Sequence, residues 1–197
     1  MNKIPVEQLY APRASILING EKVHFRILEK PDEADLKTFF GEITEQEAEK
    51  LRHDVRDPAV VTSWVSSLDY QRVLPVISLN EAMDHIIAVA TMHFMTGVHR
   101  HIAEVRVVVG KDYRQLGLGS AMIKELIDAG NRLGIHFLKA EILAESELAI
   151  KAFRQLGFEV KCTLEKYFMN RRGEMHDVVL MIKRLIVQLE EEMFYLF

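Results

Sequence analysis

Arg114-Gln115-Leu116-Gly117-Leu118-Gly119-Ser120 is the stretch whose residue types and spacing speak most directly of chemistry. Two glycines let backbone N–H groups turn inward and approach an anion closely, and a helix starting there adds the positive end of its dipole. Alone, such a turn predicts an anion at a helix start and no particular reaction. A Walker loop would need Lys followed by Ser or Thr after the glycines, whereas Gly119 is followed by Ser120-Ala121. A dinucleotide fingerprint wants a third glycine and an acid on the next strand; Glu141 or Glu145 could serve as the acid, but the third glycine is missing.

The elements around this turn give it a setting. Ala103 to Val109 is the most strand-like run in the chain, ended by Gly110-Lys111-Asp112. After Gly119 the apolar positions Met122, Ile123, Leu126, Ile127, Ala129 and Leu133 follow helical spacing, closed by Gly134. Phe137 to Leu143 reads as the next strand and Ser146 to Gln155 as a helix stopped by Gly157. Strand, turn, helix and strand make a βαβ unit, which sets two parallel strands side by side. Phe158 to Tyr167 and Met175 to Ile182, flanking Asn170-Arg171-Arg172-Gly173, add a hairpin.

Upstream, residues 1–20 read as an irregular arm ending in an Asn19-Gly20 turn, so the folded domain is expected over 21–184. Lys22 to Leu28 alternates as a strand. Pro31-Asp32 opens a helix through Phe40, and Thr44 with Glu47 is a capping box opening a second helix to about His53. Val73 to Leu79 and His85 to Met95 form a hairpin about Asn80 to Asp84. The fold class is α/β: a mixed, mostly antiparallel central sheet with helices flanking it.

With Arg114, Gly117 and Gly119 behind a valine strand and Tyr113, the chain resembles the GNAT acetyltransferase superfamily, whose signature is Arg/Gln-x-x-Gly-x-Gly/Ala. Ala149 to Phe158 resembles that family's later helix ending in Gly-Phe, and Arg172-Gly173-x-x-His176-Asp177 its last hairpin. The resemblance is specific from about Ala103 to Met181 and general from Val23 to Phe94. It implies a splayed pair of central strands with acetyl-CoA in the gap, bonded to the backbone of the strand carrying Val107 and Val109. The amides of Gln115, Leu116, Gly117, Leu118, Gly119 and Ser120 would hold the pyrophosphate with Arg114 nearby, and Ala149 and Ala152 would lie along the rest of the cofactor.

The implied reaction is direct attack of a neutral primary amine on the thioester, which requires proton removal, oxyanion stabilisation and thiolate release. A backbone N–H near Val109 could meet the oxyanion. Glu104 is the candidate base by position, but alternation puts it on the same strand face as Arg106, so a paired polar edge is the competing reading. Phe153 stands where the family usually has the acid tyrosine; Tyr167 is a substitute, or else a strand or interface aromatic.

Other classes are disfavoured by composition. A balance of 25 Lys+Arg against 29 Asp+Glu gives a formal charge of -4, so no broad cationic surface for nucleic acid is expected. The single cysteine, Cys162, rules out an internal disulfide and a Cys-based zinc framework and fits a reducing, cytoplasmic setting. No apolar run approaches the roughly 20 residues of a membrane span. Of eight histidines, His99 and His101 alone could converge, with His93 nearby in sequence, and no metal is expected. At the C-terminus Ile182, Leu185, Ile186, Leu189 and Met193 have helical spacing; the tail 185–197 is expected to pack on its own domain or, second, at a homodimer contact. Two functions from different classes follow: an N-acetyltransferase acting on a protein or small-molecule amine, and a non-catalytic acyl-CoA sensor that keeps the cofactor turn without acid–base groups.

Overall fold

A computed structural model describes residues 10–186. Eight strands form one sheet: β1 (Arg13–Ile16), β2 (Lys22–Ile27), β3 (Val73–Leu79), β4 (Ile86–Phe94), β5 (Ile102–Val109), β6 (Phe137–Leu143), β7 (Glu159–Met169) and β8 (Met175–Arg184). Their order is β1-β2-β3-β4-β5-β6-β8-β7, and every neighbouring pair is antiparallel except β5 and β6. The expected mixed sheet with one parallel pair is therefore present. The helices are α1 (Glu33–Gly41), α2 (Glu45–Ala48), α3 (Pro58–Ser66), α4 (Leu118–Arg132) and α5 (Glu147–Gln155).

Period-2 alternation along the strands separates two cores. On one face Ala88, Ala90 and Met92 of β4 and Ala103 and Val105 of β5 meet Leu118, Met122, Ile123 and Leu126 of α4. On the other, Ile77, Leu79 and Val89 meet Leu36, Phe39 and Phe40 of α1 and Val61 and Val65 of α3. The strand carrying Val105 thus has helices over both faces of the sheet, which fits its largely apolar sequence, broken only at Glu104 and Arg106.

Four expectations need correction. Residues 13–16 are not irregular: they pair with β2 from Arg13↔Phe25 to Ile16↔Lys22, and Leu17 is buried. The α2 helix forms its capping box but ends at Ala48 rather than His53, and beyond it Glu49, Lys50, Arg52 and Asp54 are ion-paired to distant residues. Helix α3 was not expected, although Asp57 before Pro58 is a cap followed by an N1 proline, and the Asp57 carboxylate accepts from the Ala59 N–H at 2.9 Å. Ile182 lies on β8, as the expected strand Met175 to Ile182 has it and not in the helical spacing also read there, and Leu185 packs into the core beside Gly130. Residues 1–9 of the arm, and Leu189, Met193 and the apolar end of the tail, lie outside the described residues. Among the described residues no helix is long and apolar enough to cross a membrane.

Candidate active site

Strands β5 and β6 pair in register only through Ile102↔Phe137, Ala103↔Leu138 and Glu104↔Lys139, although β5 runs on to Val109 and β6 to Leu143. Beyond Glu104 the two strands part. Alternation decides which groups face the gap: the Ile102 carbonyl accepts from Met95, and the Gly110 N–H donates to Ile87, so even-numbered residues bond toward β4. Val107 and the Val109 N–H therefore turn toward the opening. A cavity of 690 Å³ runs through it, lined by Val105, Val107 and Val108 of β5, Ala140, Ile142 and Leu143 of β6, and Ala149 and Phe153 of α5. That volume suits a small-molecule site.

At the end of β5 the chain enters the glycine turn. Gln115 and Gly117 both take left-handed backbone conformations, φ 59° and 86°, and α4 starts immediately after. Ala121 is the first residue whose N–H closes a helical bond, to the Gly117 carbonyl at 3.0 Å, so the amides of Leu118, Gly119 and Ser120 have no partner within the helix. Here the residues fit an anionic group. A Cβ on Gly119 would come to 3.4 Å from a Val109 methyl, so a larger side chain would crowd the mouth of the turn. Arg114 is exposed; its Nε donates to the Val109 carbonyl at 3.1 Å and its terminal nitrogen pairs with Glu47 of α2. That contact, with bonds from Thr44, holds the Glu47 carboxyl down to about 2.

On the face toward α1 and α3, the floor of the cavity is ionic. Glu104 is 4% exposed and receives Arg106 Nε at 2.8 Å, Lys139 Nζ at 2.9 Å and Arg52 at 3.1 Å. Burial pushes its carboxyl up, but these cations outweigh it and the net displacement is downward. Lys139 and Arg52 also bind Glu141. His93, opposite Glu104 on β4, meets the Thr91 hydroxyl at 2.9 Å; burial, then the Arg106 charge, hold its imidazole down to about 4. Of the expected catalytic pair, Glu104 is therefore at the cavity with its lone pairs taken up by cations, and Tyr167 lines the rim at 60% exposure. A bulge in β7 puts it there: Lys166 has φ 50°, and its N–H donates to Asp177 at 2.8 Å.

Val107 and the α5 residues Ala149 and Phe153 share the cavity, whereas Val109 and the turn 114–120 are not among its lining residues. Ala152 is half-buried one turn beyond Ala149 on the same helix. Phe153 is buried against Phe158, ring centroids 4.9 Å apart. His99 sits in a one-turn 3-10 helix away from the cavity lining, and His101 lies beside the His136 and Phe137 rings. Sequence reading missed Arg52 and Trp64 of the cavity wall and Lys139, which pairs with Glu104 beneath it, and considered His93 and Glu141 only for other roles, in a metal site and as a ribose acid.

The family model described as Acetyltransferase (GNAT) family matches residues 33–158. The chain belongs to the GNAT acetyltransferase family. Among curated GNAT relatives, the L-amino acid N-acetyltransferase AaaT of Escherichia coli is 29% identical over 84 residues, covering 42% of this chain and 51% of that protein. The [ribosomal protein bS18]-alanine N-acetyltransferase of Escherichia coli is 31% identical over 75 residues, 38% of this chain and 50% of that one. The chain spans about half the length of the curated relatives it matches. A GNAT-family acetyltransferase structure from Streptococcus pneumoniae superposes with a TM-score of 0.65 at 21% identity, covering 83% of this chain and 99% of that one. The phosphinothricin acetyltransferase from Sinorhizobium meliloti, in complex with AcCoA, gives 0.70 at 18% identity over 83% and 88%. At these identities the structural likeness establishes the GNAT fold.

Proposed function

We propose that the protein is an N-acetyltransferase that moves the acetyl group of acetyl-CoA to a primary amine by direct attack, both substrates being bound together. The observation that carries this reading is the parting of β5 and β6 after Glu104, with a cavity lined by both strands and by α5, and with the amide-rich turn at α4 following the end of β5. Acetyl-CoA supplies a thioester already activated toward amines.

The chain's own groups take the remaining roles. Amides from Gln115 to Ser120, with Arg114 beside them, bind the pyrophosphate. Backbone groups of Val107 and the Val109 N–H orient the cofactor arm and offer a donor to the developing oxyanion. Ala149 and Ala152, being small, leave room along α5. The excess of cations on the floor, Arg52, Arg106 and Lys139 against Glu104 and Glu141, disfavours a bound ammonium and so favours the neutral, nucleophilic amine. Glu104 serves that field and holds the cations in place; with three of them on it, it is a weak base. Tyr167 is the tyrosine among the lining residues and can donate its phenolic proton to the leaving thiolate.

Free-thiol release from acetyl-CoA with a panel of primary amines tests the proposal, alongside calorimetric binding of CoA. Transfer to at least one amine is expected. Saturation of Glu104 and the absence of a hydroxyl on Phe153 favour one second reading, an acyl-CoA sensor without turnover. Tight acetyl-CoA binding with no thiol release for any amine would decide for it. Tyr167→Phe should lower kcat at unchanged cofactor affinity.

A further inference from the structure

Among the described residues three other than glycine have a left-handed backbone: Met83 in the β3–β4 turn, Gln115 in the glycine turn, and Lys166, φ 50°, inside strand β7. Such a conformation in the middle of a strand is costly for any residue but glycine and persists only where its surroundings impose it. Here the surroundings are Asp177. The β7–β8 ladder passes from Leu164↔Val178 to Phe168↔His176, so Glu165, Lys166 and Tyr167 stand opposite the single Asp177. Asp177 accepts the Lys166 N–H on its carboxylate at 2.8 Å, a donor that the bulge takes out of the regular ladder. Its carbonyl accepts from the Ala144 N–H at 2.9 Å, and its neighbour His176 meets Glu145 at 3.1 Å. Ala144 and Glu145 form the corner between β6 and α5, the helix that brings Ala149 and Phe153 to the cavity.

We propose that Asp177 is a positioning residue for acetyl transfer: its carboxylate holds the bulge that carries Tyr167 at the cavity rim, and its carbonyl fixes that bulge to the corner from which α5 starts. This inference rests on the reading of Tyr167 as proton donor to the leaving thiolate. Among the described residues no hydrogen bond engages the Tyr167 hydroxyl, so nothing polar at its own end sets where it stands. Its place follows from the backbone beneath it. A regular β7 would put Tyr167 opposite Met175, two residues or about 7 Å nearer the hairpin tip. With the bulge, Tyr167, Phe168 and Met169 all line the cavity, although a strand of period two turns neighbouring residues to opposite faces. Asp177 does not itself line the cavity, so it acts through Tyr167 and not on substrate. One residue thus sets the spacing between the proton donor and the α5 wall.

Thiol release from acetyl-CoA with the most active amine of the panel tests this in Asp177→Ala, Asp177→Asn, Tyr167→Phe and the double variant Asp177→Ala/Tyr167→Phe. Tyr167→Phe should lower kcat roughly tenfold. Asp177→Ala should lower kcat about threefold or more at unchanged KM for acetyl-CoA, and cost nothing further in the Tyr167→Phe chain, since both changes remove one function. Asp177→Asn keeps an oxygen for the Lys166 N–H and should retain most of the activity. Lys166→Gly should restore part of kcat to Asp177→Ala, because glycine takes the left-handed conformation unaided. Asp177 is exposed, so its variants should fold, as thermal midpoint and CoA affinity establish. Losses that add in the double variant, or an unchanged kcat in Asp177→Ala, would overturn the inference while leaving acetyl transfer intact. So would an Asp177→Asn loss as large as that of Asp177→Ala, or no recovery with Lys166→Gly. A silent Tyr167→Phe would instead remove the proton-donor reading, and if no amine releases thiol the transferase reading itself falls, this inference going with either.

Discussion

Glu47 in the first turn of α2 is ion-paired to Arg114 in the turn that precedes α4, across 67 positions of sequence. It is one of a series of ties from the segment 45–57. Lys50 pairs with Glu145 at 3.1 Å, Arg52 with Glu104 and Glu141, Asp54 with Arg171, and Glu49 with Arg172 at 2.5 Å. Lys50, Leu51, Arg52, His53 and Val55 in turn form part of the cavity wall. Little of this segment is helical or buried, so charge, more than packing, sets where the wall stands. Arg114 links that segment to the glycine turn before α4.

If Arg114 contacts the cofactor as proposed, Glu47 competes with the bound anion for the same guanidinium. Glu47→Gln removes the competing charge while preserving the side-chain oxygen that accepts from Thr44 in the capping box. An exposed pair of this kind is worth up to about 1 kcal/mol, so CoA should bind the variant several-fold more tightly. The gain should shrink as salt is raised. Calorimetry at low and high ionic strength measures it, and an affinity equal to that of the natural protein would mean that Arg114 does not contact the cofactor.

Gly119→Val addresses the turn itself. The new side chain starts 3.4 Å from a Val109 methyl and extends into the space above the exposed amides. Overpacking of this sort costs about 1–3 kcal/mol, a shift of a few degrees in thermal midpoint for a chain of this length. Loss of close backbone approach to the pyrophosphate should weaken CoA binding tenfold or more. Unchanged CoA affinity in a folded variant would remove the turn from the cofactor site.

These contrasts explain what could be read from sequence. Arg114 to Ser120 was legible because its information is local: left-handed positions, a helix start and an apolar strand follow one another within a few residues. The strand Phe137–Leu143 and the turn at Asn170–Gly173 were legible for the same reason. The ionic floor was not. Arg52, Glu104, Lys139 and Glu141 acquire their meaning only when β5 and β6 come together and the segment after α2 crosses them. Glu104 was correctly placed on the strand and next to Arg106, but nothing adjacent in sequence announces Lys139 or Arg52. The early end of α2 at Ala48 was no more legible: Thr44 and Glu47 mark where the helix starts, and nothing local announces that Glu49 and Asp54 beyond it pair with distant Arg172 and Arg171.

Glu104→Gln separates the structural and chemical parts played by that residue. Removing the charge leaves Arg52, Arg106 and Lys139 with one fewer anion in a largely buried site, and breaking a buried ion pair from one side costs about 3–5 kcal/mol. Gln keeps an oxygen for part of the network, so about 3 kcal/mol is expected, or a fall of roughly 6–12 °C in thermal midpoint. Calorimetric or optical melting reads it directly. A midpoint within a degree or two of the natural protein would show that the three contacts contribute little, and would return Glu104 to consideration as a base free to ionise and accept protons.

His93 gives the fold an acid sensitivity with a defined window. It faces Arg106, Glu104, Arg52 and His53, and burial followed by the Arg106 charge lowers its imidazole from 6.5 to about 4. In the unfolded chain the ring takes up its proton near pH 6.5, whereas in the folded protein it does so only near pH 4. Between those values the unfolded state binds more protons, so stability rises with pH; it is fully present above about 6.5 and is lost as pH falls toward 4. Allowing for partial solvent screening at a half-buried site, the loss is on the order of 2 kcal/mol. His93→Gln retains a partner for the Thr91 hydroxyl and has no proton to gain. Denaturant midpoints from pH 7 to pH 4 should therefore fall more steeply for the natural protein than for the variant, the carboxylates contributing equally to both. Parallel curves would place the His93 ring in contact with solvent, with an ordinary affinity for protons.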